Sequence, residues 1–130
     1  MKPLNIKPTE PKFRSMAARY FFRAGMYGEA IEQLEIMASK DPRDFESRDT
    51  LAMYYEQIGR PELALPIREY IVTIDPYNVI NLLALGRDLK ATGNVSAARE
   101  IVDKIAVIAP ESEELKSAKS ELLSWSINLA

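Results

Sequence analysis

Apolar residues in this chain return at intervals of three and four, in runs cut at regular places by glycine or by a residue followed by proline. Phe13, Ala17, Tyr20, Phe21 and Ala24 predict a helix over about residues 10–24, stopped by Gly25. Ala30, Ile31, Leu34, Met37 and Ala38 predict a second over 29–40, and Asp41-Pro42 ends it because a residue before proline avoids helical geometry. Asp44 is placed to cap a third helix, whose stripe of Leu51, Ala52, Tyr54, Tyr55 and Ile58 reaches Gly59. Pro61 suits the start of a fourth, which runs to about Ile74. Within it, Pro66 removes a backbone donor and crowds the carbonyl of Glu62, so a local bend is expected. Asn78 caps a fifth helix through Leu82, Leu85, Gly86 and Leu89, and Gly93 leads into a sixth through Ala98, Ile101, Val102 and Ile105.

A seventh helix is expected over 113–129. Leu115, Ala118, Leu122, Trp125 and Leu129 form its stripe, while Glu113, Glu114, Lys116, Lys119 and Glu121 form the wet face. Leu123 and Ile127 lie beside that stripe and leave the helix apolar on more than one side, which predicts a weak homodimer through residues 113–129.

The punctuation is periodic. A step of 34 residues carries Gly25 to Gly59 and Gly93, and Pro42 to Pro76 and Pro110. The same step aligns the small residues Ala18, Ala52 and Gly86 with one another, and likewise Ala30, Ala64 and Ala98. Small side chains at these places let helix axes approach towards the lower limit of packing, about 8 Å. This period and punctuation resemble the tetratricopeptide repeat (TPR). The resemblance implies an all-α fold, a right-handed superhelix of three helix pairs (11–44, 45–78 and 79–112) with a C-terminal capping helix over 113–129. The whole would be a single domain over 10–130, after an extended leader over 1–9 that contains Pro3 and Pro8. The chain departs from the consensus at its early tryptophan, where Arg14, Arg48 and Leu82 stand, and at its late aromatic, where Leu34, Arg68 and Val102 stand.

The resemblance also implies a site. In such repeats the first helix of each pair lines a concave groove. The inward positions here are Lys12, Ser15, Arg19 and Phe22, then Glu46, Asp49, Met53 and Glu56, then Ile80, Leu83, Arg87 and Lys90. A basic, an acidic and a second basic bank with an apolar edge suit an extended or helical peptide of mixed charge. The same charges could instead pair with one another across neighbouring helices. A clamp for chaperone tails would need Lys and Asn at Ser15 and Arg19, Asn at Thr50, and Lys and Arg at Ile80 and Ala84; none is present. A second resemblance covers residues 62–94, which look like the repeats carried as soluble tails by bacterial membrane proteins of the O-antigen ligase and polysaccharide polymerase kind. It implies an appendage to a membrane enzyme.

Composition narrows the function without redirecting it. The 130 residues are 47% hydrophobic and 28% charged, as expected of one soluble domain, by default cytoplasmic. The net charge of −2 argues against a general nucleic-acid binder, although six basic residues and one acidic residue fall between Met1 and Met26. Cysteine and histidine are absent, which removes thiolate nucleophiles, zinc sites and the usual near-neutral base. The acids Asp41, Asp44, Glu46 and Asp49 lack the glycine and alternation of a calcium loop. No glycine-rich phosphate loop occurs. The expectation is a non-catalytic interaction module without metal or cofactor, whose partner is a protein or peptide.

Overall fold

A computed structural model describes residues 11–123. Seven helices account for the regular structure: α1 (Pro11–Arg23), α2 (Tyr27–Lys40), α3 (Phe45–Gln57), α4 (Pro61–Ile74), α5 (Val79–Ala91), α6 (Val95–Ile108) and α7 (Glu113–Leu122), with no strand among the described residues. They fall into two compact units, α1 to α3 ending at Ile58 and α4 to α7 beginning at Gly59. The leader and the predicted end of the seventh helix, with Trp125, Ile127 and Leu129, lie outside the described residues.

Backbone chemistry sets the helix ends. Gly25 and Gly93 take φ of 78° and 91°, a left-handed conformation that costs glycine little. The turn then closes through the next amide: Met26 N donates to the Phe21 carbonyl at 2.8 Å, and Asn94 N to the Leu89 carbonyl at 2.8 Å. Three other helix ends, those of α2, α4 and α6, are pre-proline. Asp41, Asp75 and Ala109 leave helical geometry at φ of −134°, −143° and −144°, each still donating its amide to the last turn. Asp44 and Asn78 cap as expected, accepting from Ser47 N and Asn81 N at 3.0 Å each. Asn94 and Ser112 do the same for α6 and α7. Pro66 lies inside α4, which runs unbroken from Pro61.

In the first unit, Ala18, Ala30, Leu34, Leu51 and Ala52 are buried where α2 packs on α1 and α3. The arginines at two consensus-tryptophan positions reach from α1 and α3 to α2. Arg14 Nη1 donates to Gln33 Oε1 at 3.0 Å, and Arg48 Nη2 to the Ala38 carbonyl at 3.0 Å, near the open end of α2. In the second unit, Leu82, Leu85 and Leu89 of α5 and Ile101 and Ile105 of α6 form one core with Leu115, Ala118 and Leu122 of α7. Gly86 allows the close approach: a Cβ there would sit 2.4 Å from Leu122 Cδ1 and 3.2 Å from Ile101 Cγ2. Leu123, expected to leave apolar surface for self-association, packs against this core.

Between α4 and α5 the core turns polar. Arg68 is 4% exposed and donates from Nη1 to Asn81 Oδ1 at 3.2 Å; Asn81, 2% exposed, returns a bond from Nδ2 to the Arg68 carbonyl at 3.1 Å. A buried guanidinium is tolerable only with such partners.

Candidate functional site

Five of the twelve predicted groove residues meet around one cleft in the first unit. Lys12, Ser15 and Arg19 of α1 face Glu46 and Asp49 of α3 across a cavity of about 470 Å³. Helical spacing explains the grouping, since residues three, four and seven apart share a face. The floor was not predicted. It consists of Ala18, Leu34, Met37 and Tyr54, buried residues of the helix packing, together with the polar Ser47 and Thr50.

The walls carry opposite charge, and three of the charges are unused. Lys12, Arg19 and Glu46 form no hydrogen bond or ion pair among the described residues. Asp44, which also lines the cleft, has a structural duty instead: it accepts from the Ser47 amide and, at 2.6 Å, from the Ser47 hydroxyl. Away from the cleft, Asp41 accepts from Arg43 N at 2.9 Å. No group of three or more acids among the described residues is placed to hold a metal ion.

Tyr54 stands out on the floor. It is 5% exposed, and its ring is stacked on Phe22 with centroids 3.9 Å apart and planes 10° from parallel. Tyr27 meets the other edge of Phe22 at 4.9 Å. Phe22 therefore spends its apolar face on positioning Tyr54. Burial pushes the Tyr54 phenol above its ordinary pKa, while the positive charges of Arg19 and Arg23 act in the opposite direction. The hydroxyl remains protonated at neutral pH, and it makes no hydrogen bond among the described residues.

The third bank is different. Arg87 of α5 donates twice to Glu121 of α7, from Nε at 2.6 Å and Nη2 at 2.9 Å, and Lys90 Nζ donates to the Glu121 carbonyl at 2.6 Å. The arginine hydrogen bonds hold the Glu121 carboxyl below its usual range, with burial opposing and the charges of Arg87 and Lys90 assisting. Leu83, expected at the apolar edge of the groove, is 7% exposed and belongs to the core; Ile80 is 69% exposed. So in this bank the basic residues fasten α7, and Leu83 is withdrawn from the site. Met53 is exposed, while Glu56 is half-buried and already engaged.

These helices, their left-handed glycine turns and their small buried residues constitute a tetratricopeptide-repeat fold, and solved structures agree. The chain superposes on the first TPR of Spaghetti (RPAP3) bound to the HSP90 peptide SRMEEVD with a TM-score of 0.74, at 17% identity over 98% of both chains. The second TPR domain of human RPAP3, in complex with the HSP70 peptide SGPTIEEVD, gives 0.72 at 18% identity over 88% of this chain and 99% of that one. YrrB, described as a TPR protein with an unusual peptide-binding site, gives 0.75 at 16% identity; the match spans 91% of this chain and 61% of YrrB. No protein-family model and no curated protein matches the sequence. The resemblance to O-antigen ligase tails is not supported by these comparisons.

Proposed function

We propose that this chain is a non-catalytic interaction module that takes a peptide segment of a partner protein into the cleft walled by α1 and α3. The observation that carries the reading is the set of three charges around a cavity of about 470 Å³, Lys12, Arg19 and Glu46, that have no partner among the described residues. Charges that served only to hold helices together would be paired, as Arg87 is with Glu121. The peptide complexes of the RPAP3 domains show that the same fold can present a peptide site. The clamp chemistry does not transfer, because Ser15, Arg19, Thr50, Ile80 and Ala84 stand where its residues would be.

The test is a peptide-display selection on the intact chain, followed by affinity measurement on variants. Selected peptides should bind at micromolar levels, about −8 kcal/mol. Arg19→Glu should weaken them by more than about tenfold, or about 1.4 kcal/mol, whereas Lys104→Glu on the exposed side of α6 should leave affinity nearly unchanged. Circular dichroism checks that both variants keep their helices. Peptides indifferent to Arg19→Glu, on a folded variant, would place the binding surface elsewhere and defeat the proposal.

A further inference from the structure

The two walls of the cleft do not carry the same sign. Lys12 and Arg19 lie two turns apart on α1, and Glu46 and Asp49 one turn apart on α3. A ligand with only negative groups would meet Glu46 and Asp49; one with only positive groups would meet Lys12 and Arg19. Either arrangement brings like charges together; all four side chains are exposed, so the repulsion is moderated by solvent and weakens with salt. Tyr54 adds direction. Its ring is fixed by the Phe22 stack, its hydroxyl has no partner among the described residues, and Arg19 and Arg23 make its surroundings positive. A protonated phenol beside an arginine offers two donors to one acceptor, which is the pairing a carboxylate takes best.

We infer that the cleft selects an internal peptide segment carrying one acidic and one basic side chain a few residues apart, the acid held by Arg19 and the Tyr54 hydroxyl and the base by Glu46. This rests on the cleft being the peptide site proposed above, and it specifies what that site reads. Acidic peptides of the kind printed for the RPAP3 domains, such as SRMEEVD, are rejected. Within the cleft a second negative group would face Glu46 and Asp49. Specificity arises as much from the repulsion each wall exerts as from the attraction it offers.

The probes are nine-residue peptide pools with acetylated and amidated ends: one with a fixed Glu, one with a fixed Lys, one with both at spacings of two to four, and one uncharged. The free-ended peptide SRMEEVD is the fifth probe. Binding to the full chain is measured by fluorescence polarisation, and its location by amide chemical shifts of cleft residues. The mixed pool should bind roughly tenfold tighter than either single-charge pool, which is about 1.4 kcal/mol. Tyr54→Phe, which keeps the ring stack, should remove several-fold of the advantage of the mixed pool over the Lys pool without moving the unfolding midpoint. Arg19→Gln should remove the rest. Cleft shifts with no preference for the mixed pool, or tightest binding by the Glu pool or SRMEEVD, would overturn this inference and leave the peptide-site reading standing. A full mixed-charge preference retained in Tyr54→Phe would overturn the part assigned to the hydroxyl. No cleft shift with any probe would overturn both readings together.

Discussion

Replacing Gly86 by alanine sets two effects of known size against each other. Alanine inside a helix is favoured over glycine by about 1 kcal/mol, so on propensity alone Gly86→Ala should stabilise α5. The structure opposes this, because the new Cβ would lie 2.4 Å from Leu122 Cδ1, well inside contact distance. Leu122 is the far end of a flexible side chain, yet it is fully buried and has little room to turn. Ile101 Cγ2, at 3.2 Å, limits relief on the other side. Overpacking of this kind costs about 1–3 kcal/mol, so after the propensity gain of about 1 kcal/mol the net expectation is destabilisation by about 0–2 kcal/mol. Leu122→Ala alone should cost about 2–5 kcal/mol through the cavity it opens. In that background the added methyl has space, and Gly86→Ala should become neutral or stabilising, giving a coupling of at least about 1 kcal/mol. Urea unfolding followed by circular dichroism on the four members of the cycle measures this. Stabilisation by Gly86→Ala in the wild-type background, or additive effects, would show that α7 does not press on Gly86.

Three further outcomes are expected. Asn81→Ala leaves the buried Arg68 guanidinium without one acceptor and should cost about 2–3 kcal/mol, whereas Asn81→Asp, which keeps the acceptor, should cost less; both are read by urea midpoint. Glu121→Gln should cost less than about 1 kcal/mol at neutral pH, because both partners of its pair are about half exposed, and the loss should shrink in high salt. The Glu121 pKa is lowered on folding, so its contribution is present above the unfolded carboxylate pKa and lost as pH falls through the folded value; the difference between Glu121→Gln and wild type should vanish in acid. Asp44→Ala should cost about 1 kcal/mol in thermal unfolding by uncapping α3.

The helices were legible because apolar spacing and turn glycines act locally, within a few residues of chain. Five of the cleft's twelve lining residues were legible for a related reason: Lys12, Ser15, Arg19, Glu46 and Asp49 share helix faces that the 34-residue step aligns. The sequence reading failed where a third element intervened. Arg87 and Lys90 have the spacing of groove residues, but α7 folds over them, and only a tertiary contact decides that. One clue was available, since Glu121 follows Arg87 by one repeat length. Leu83 was misplaced because α5 is apolar on more than one side, so periodicity does not choose its buried face. The Arg68–Asn81 pair was missed because a guanidinium reads as surface until its acceptor, thirteen residues away, is seen to be buried with it. Tyr54 was read as core, as its burial confirms, while the lack of a hydroxyl partner among the described residues needed coordinates.

The glycine corners bear on how freely such a chain can change. The bonds that close the turns at Gly25 and Gly93 join main-chain amides to main-chain carbonyls, so no neighbouring side chain is needed to shape them. The bend is written into the backbone, and its only strict demand is a residue at ease with positive φ. Many exposed positions between corners are thereby released from shaping the turns. A cleft wall can reverse its charge, or lose it, without unsettling the reversal of the chain a few residues away. The scaffold is strict at its corners and permissive on its faces, which suits the charge-read cleft proposed above.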